Sequence, residues 1–387
     1  MKKYFNFLFI GLLILFAFVA CDNDATSGIL SDIVNSEVQE EYTFKSVVTN
    51  ASNDKYYSLE DNDIYLSSDS TSKRQLILNL DNYTNTNALY YDGTNLYFLV
   101  NGADAATAGK KLYYFDPTDA TPTVHEMTVE NTTVDSIVSL TSNGYLIFEN
   151  SEALNSGYYA QKIASSATTI NTTNAIKFAE ASDSLSTIVP VGDDLIVQTV
   201  FEDPSDSSSY LFNYYLIKDG SSTLTTIKED QEENIVSAAS DGINYYLVLS
   251  NASLSSTDGT ANNLTAIYEN DNTNYSFDNL AQNLYFSTSD FLVAIDSSND
   301  VLLYDLNNSD TSTSVTSLTE GFANVIRNTS SIVSAFKIDA TDPYKFQIAT
   351  KSNGYYSLSV TDSTVLDDDL STNSSCDSVE YESTSTN

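Results

Sequence analysis

A strand–turn–strand unit returns along this chain at nearly constant spacing. It is seen in "ALYYDGTNLYFLV", "IVSLTSNGYLIFEN", "IVPVGDDLIVQTV" and "IVSAASDGINYYLVLS". Each is an apolar run, a tight turn of Asp, Asn or Gly, and a second apolar run. The first core residues after these turns, Leu96, Leu146, Leu195 and Tyr245, are 50, 49 and 50 residues apart. Leu292 and Tyr344 continue the register at intervals of 47 and 52, and Ile64 precedes Leu96 by 32. That makes seven units, the first abbreviated. A period of this length excludes an arbitrary packing of strands, because every unit must meet its neighbour in the same way.

Further runs complete each unit. "KKLYYFDP", "GYYAQKI", "LFNYYLIKDG", "DVLLYDLNN" and "GYYSLSV" read as third strands, and "PTVHEMTV", "STLTTIKE" and "TSVTSLT" as weaker fourth strands. No stretch carries a sustained helical period. Four antiparallel strands recurring about every 50 residues predict an all-β fold, a β-propeller of seven four-stranded blades, with six or eight as alternatives. One twisted sheet cannot bury both its faces, whereas a ring of sheets can. "EYTFKSVV" (Glu41–Val48) stands alone before the first unit, and the last unit lacks a fourth strand. This predicts closure by pairing of the N-terminal strand with the last blade. The chain has no Trp, and it shows neither the Gly-His and Trp-Asp marks of WD-repeats nor the paired glycines of kelch repeats.

The N-terminus gives an address. Lys2 and Lys3 precede an apolar run, Phe7–Ala20, too short for a comfortable membrane span and suited to an export signal. The run ends in Phe18-Val19-Ala20-Cys21, which resembles the lipobox of bacterial lipoproteins, although Phe18 stands where Leu is usual. The resemblance implies cleavage before Cys21 and acylation of Cys21, making residues 1–20 a signal peptide and 21–41 a tether. About 0.8 kcal/mol per buried methylene lets two or three acyl chains hold a protein on a membrane. The whole ordered length then resembles the broad class of lipoprotein β-propellers, a likeness of architecture that carries no function. "CDND" resembles the acidic surface-export signal of Bacteroidetes lipoproteins, whereas Asp after the cysteine keeps enterobacterial lipoproteins at the inner membrane. The sequence leaves both leaflets open. The domain expectation is a propeller over 42–362 and a disordered acidic tail over 363–387, which holds the second cysteine, Cys376.

Without the signal peptide, 14 basic residues face 53 acidic ones, a net charge of −39. Nucleic acid is thereby excluded as a natural partner, and no P-loop or G-x-G-x-x-G points to a nucleotide. The expected partners are the membrane through the lipid, and an envelope protein or extracellular ligand. The one histidine, His125, lies on a candidate outer strand; a Ser-His-Asp triad would depend wholly on it, no G-x-S-x-G elbow is present, and no catalytic residue or cofactor is assigned. Carboxylates are the abundant reactive groups. A pair of them would suit a glycan hydrolase or lyase, the alternative reading beside a purely structural envelope protein. The close acids Asp61 and Asp63, and Asp296 and Asp300, are weak calcium candidates that match no EF-hand loop. Asp61, Asp63, Asp92, Asp193, Asp194 and Asp241 occupy hairpin turns, where short side chains tolerate φ > 0.

Loop length is the remaining signal. The second-to-third-strand connections are long in "NGADAATAGK", "NSEALNSG", "FEDPSDSSS" and "NASLSSTDGTANN". These loops share one rim, so Asp104, Glu152, Glu202, Asp203, Asp206 and Asp258 are the candidate binding residues.

Overall fold

The computed structural model describes residues 43–387 apart from 70–72, 84–85, 102–108, 131–135, 152–154, 181, 252, 269–282, 288–290, 296–300, 306–314, 318–331, 338–344, 351–353, 361–373, 380–381 and 384–387. Cys21, the leader and the tether lie outside these residues, as do Asp104, Glu152, Asp296, Asp300 and Tyr344.

Among the described residues, seven sheets of four consecutive antiparallel strands follow one another along the chain, the first joined by a further, parallel strand. Their second strands are Lys55–Glu60, Leu96–Val100, Tyr145–Asn150, Asp194–Asp203, Tyr245–Leu249, Phe291–Ile295 and Lys345–Thr350. In the first, second, third and fifth sheets these strands are buried at nearly every position. The reason is that these sheets are packed on both faces. Along Leu96–Val100, Leu96, Phe98 and Val100 join a core with Val48, Tyr57 and Leu59 of the first sheet. The alternate residues Tyr97 and Leu99 join Leu140, Leu146 and Ile163 of the third. The same split continues, with Tyr145 and Ile147 meeting Leu195 and Val197, while Ile196 meets Tyr245 and Leu247. A continuous apolar run is therefore the sequence mark of a strand with two buried faces. Full burial of one such side chain stabilises by about 1.5–3 kcal/mol.

The series returns on itself. The first strand of the seventh sheet, Ile332–Lys337, touches that of the first, Phe44–Thr49. Phe44, Val47 and Tyr56 share a core with Ala349 and Tyr355 of the seventh sheet. The Tyr355 ring lies 5.0 Å from that of Phe44 and 5.5 Å from that of Tyr56.

Closure differs from the expectation. Phe44–Thr49 pairs with Lys55–Glu60, so "EYTFKSVV" is the first strand of the first sheet and does not complete the last. "KYYSLEDNDIYLSSD" is then the second and third strands, and the abbreviated unit disappears. Ile64 lies in a third strand, Asp63–Ser68, whereas Leu96 opens a second, so the interval of 32 compares unlike positions. The fourth strand of the seventh sheet is Ser374–Val379, inside the stretch expected to be a disordered tail, and it pairs with Gly354–Val360. Just beyond it, Glu382–Ser383 pairs in parallel with Lys73 and Arg74 on the outer strand of the first sheet. One segment thus spans the junction between last and first sheets.

Candidate functional site: the cavity at the hairpin-turn rim

The first-to-second-strand turns repeat a local chemistry. In "DGTNLY" and "DGINYY" the Asp side chain accepts from the backbone N–H groups two and three residues on, Thr94 and Asn95 for Asp92, Ile243 and Asn244 for Asp241. The other oxygen accepts from the Tyr five residues on, at 2.8 Å from Tyr97 and 2.9 Å from Tyr246. Gly93 and Gly242 take φ of 97° and 88°, which only glycine adopts without strain. Burial pushes Asp241 up, but these three donors, joined by the Asn244 side-chain amide, outweigh it and hold its carboxyl below the usual range.

These turns also stitch neighbouring sheets together. Asp92 accepts from Ser166 N at 2.7 Å, in the loop after the third strand of the third sheet, and the Tyr97 hydroxyl donates to Ala167 O. Asn143 of the third sheet donates to Gly192 O and Asp194 O of the fourth. Asp194 in turn accepts from the Tyr245 hydroxyl of the fifth sheet and from Asp219 N.

Within this rim lies a cavity of about 590 Å³. Its lining comes from four sheets, and includes Asn50, Tyr90, Asp92, Asn143, Lys162, Asp193 and Asp219. The long loop after Lys162 supplies one wall. That loop is held by Thr169–Asn171, a short strand parallel to Thr128–Glu130, with Ile170 and Met127 in the core below. Tyr90 is fixed between Gly144, where a Cβ would fall 2.4 Å from its ring, and the Tyr97 ring at 5.6 Å. Burial first, then Asp92, Asp193 and Asp219, push the Tyr90 hydroxyl up to about 12. The Lys162 ammonium donates to the Asp193 carbonyl at 3.0 Å and lies 4.8 Å from the centre of the Tyr145 ring. Burial pushes Lys162 down, against the opposing pull of Asp219, Asp193 and Asp194.

The residues singled out from sequence are distributed differently. "FEDPSDSSS" is not a loop but a hairpin tip, since Asp194–Asp203 and Asp206–Ile217 run through it with only Pro204 and Ser205 between them. Glu202, Asp203 and Asp206 lie there, on the rim opposite the cavity. "NASLSSTDGTANN" contains the third strand of its sheet, Leu254–Thr257, which carries Asp258 to the cavity rim. Asp203, Asp206 and Asp258 each accept hydrogen bonds from hydroxyl and N–H groups two residues on. Those bonds hold all three carboxyls low, Asp258 at about 2. Asp61 has φ of 45°, a turn role, and Asp63 accepts from Asn79 at 2.9 Å while burial raises its carboxyl. Both sit at the second-to-third-strand turn rather than the first. Among the described residues no three His, Cys, Asp or Glu side chains gather as a metal site. His125 is exposed beside the Tyr114 ring.

No family model matches the chain, and no curated protein matches it. Solved structures do. The structure of YCF48 bound to a D1 peptide superposes with a TM-score of 0.51 at 10% identity, over 84% of this chain and 96% of that one. YCF48 from Cyanidioschyzon merolae gives 0.50 at 8% identity, covering 82% and 95%. A prolyl endopeptidase gives 0.53 at 10% identity, over 90% of this chain but 53% of its own. The chain is a β-propeller. At such identities the likeness is one of fold, and the peptidase activity of the third structure does not transfer with it.

Proposed function

We propose that this propeller is a binding module, held outside the cytoplasm by lipid on Cys21, that engages an envelope protein or an extracellular ligand without catalysing a reaction. The observation that carries the reading is the cavity at the hairpin-turn rim. It is concave, lined by polar and apolar groups in similar measure and built jointly by four sheets, the kind of site a rigid scaffold offers a partner. The first two of its four walls are fixed by side chains already committed to turn hydrogen bonds, which suits recognition better than proton transfer. The YCF48 structure bound to a D1 peptide supports the reading as an instance of this fold holding a peptide. Calcium and other cofactors have no part in it.

Photo-crosslinking in intact cells tests the proposal. Benzoylphenylalanine at Asn50, on the cavity, is expected to capture a protein adduct, and the same group at Ser208, on the opposite hairpin, is not. Cys21→Ala should release the chain from the membrane and abolish the adduct. Adducts from Ser208 alone, or from neither position, would reject this assignment. Protease shaving of intact against lysed cells then places the propeller on the outer surface or in the periplasm.

A further inference from the structure

We propose that the outer edge of the first sheet, Lys73–Asn79, accepts an added β-strand. The chain's own C-terminal segment holds that edge closed, and an extended segment of a protein partner, carrying a single carboxylate, takes its place. The site is separate from the cavity and goes beyond the reading above, since none of Lys73–Asn79 lines the cavity.

Among the described residues the first sheet alone has a fifth strand. Glu382–Ser383 lies along its outer edge, parallel, with Glu382 paired to Lys73 and Ser383 to Arg74. That edge strand is 7 residues long, and among the described residues no strand pairs outside Gln75–Asn79. The remainder is roughly 16 Å of open edge, at about 3.3 Å per residue. The same segment is held far more firmly before this point, where every residue of Ser374–Val379 pairs with the seventh sheet. Nor does the junction between the seventh and first sheets depend on the short hold, because Phe44, Val47 and Tyr56 pack there with Ala349 and Tyr355. Glu382–Ser383 can thus leave the edge while the ring stays closed. A longer strand makes more main-chain hydrogen bonds than this occupant, which is how a sheet edge takes a peptide.

Charge sets the partner's chemistry. The register places an acid, Glu382, opposite a base, Lys73. Opposite charges across a strand pair stabilise, and like charges destabilise. Arg74 is buried and engaged by Glu60 and the Tyr65 ring, so of the two cations Lys73 is the exposed one. With an overall charge of −37 the chain repels an acidic run at a distance. The fit is therefore one carboxylate in an otherwise uncharged strand.

The test uses the full chain and the fluorescein-labelled peptide acetyl-Thr-Val-Glu-Ser-Thr-Val-Thr-Val-amide, with an analogue bearing Lys for Glu. Ser383→Pro removes an N–H from the occupant, and Glu382→Lys sets like charges across the pair, so each should free the edge. Anisotropy is expected to show at least tenfold tighter binding of the Glu peptide by either variant than by the parent. The Lys peptide should bind at least tenfold more weakly. Lys73→Glu added to Ser383→Pro should reverse the preference between the peptides, which mere loosening of the fold would not do. Equal binding by parent and variants, equal binding of both peptides, or no reversal would overturn the inference. So would loss of the circular dichroism signal in both variants, or dimers of the variants in place of peptide binding, which would make a second copy the occupant. The Asn50 crosslink is a separate readout, so failure at this edge and failure of the cavity reading are told apart.

Discussion

At the scale of single residues, the turn aspartates do more than tolerate a tight bend. Asp92→Ala removes the acceptor of four hydrogen bonds, one of them from the next sheet, and leaves the buried Tyr97 only the Ala167 carbonyl for its hydroxyl. A loss of about 2–4 kcal/mol is expected, with Asp241→Ala costing less because its bonds stay within one sheet. Urea titration of the two variants checks the order. Asp241 also carries a pH signature. A carboxyl held low in the fold stabilises above its unfolded value of 3.8, and that contribution is lost as pH falls through the folded value. Glycines at this rim separate in the same way. Gly93→Ala meets open space and pays only for φ of 97°, about 1–2 kcal/mol. Gly144→Ala adds a clash with Tyr90, so about 2–4 kcal/mol and a displaced cavity wall are expected from melting curves and Tyr fluorescence.

At the scale of strands and sheets, the first sheet holds a buried charge pair. Arg74 on its fourth strand donates to Glu60 at the end of the second, Ser58 donates to the same carboxylate at 2.7 Å, and the guanidinium lies 4.2 Å from the Tyr65 ring on the third. Arg74→Ala leaves Glu60 buried without its cation, and about 3–5 kcal/mol should be lost. The Glu60→Leu/Arg74→Met double variant should recover most of that in the same chemical denaturation series. Elements differed in how legible they were from sequence. Second strands announced themselves because burial on both faces writes an unbroken apolar run. Ser374–Val379 did not, since "SSCDSV" is an outer strand whose pairing needs backbone rather than a hydrophobic face. The register of the first sheet is hard to read because only Asn50–Asp54 separates its first two strands, and Ile64 belongs to a third strand where Leu96 belongs to a second. The D-G-x-N-x-Y hexapeptide was readable twice over and would have pointed to the correct rim. The cavity was not, because its walls come from five turns and one loop brought together only by the ring.

At the scale of the whole molecule, tyrosine is what fills the ring. Burial is the leading cause that raises the hydroxyls of Tyr56, Tyr57, Tyr97, Tyr145, Tyr214 and Tyr245, and takes Tyr90 and Tyr246 to about 12. An acid whose folded value is raised stabilises fully below the unfolded value, here 10, and loses that contribution as pH climbs above it. The urea midpoint is therefore expected to hold from pH 7 to 9 and to fall steeply above 10. Phenolate absorbance at 295 nm should rise together with the loss of the far-ultraviolet signal, and absorbance that rises well before unfolding would contradict this. The parallel pairing of Glu382–Ser383 with Lys73 and Arg74 has a consequence for synthesis. The ribosome finishes the outer strand of the first sheet some three hundred residues before the segment that covers it. Until then that strand offers an open row of donors and acceptors. A chain that stops short of Glu382 thus leaves the Lys73–Arg74 end of that strand unpaired, an open edge on which another chain can add a strand.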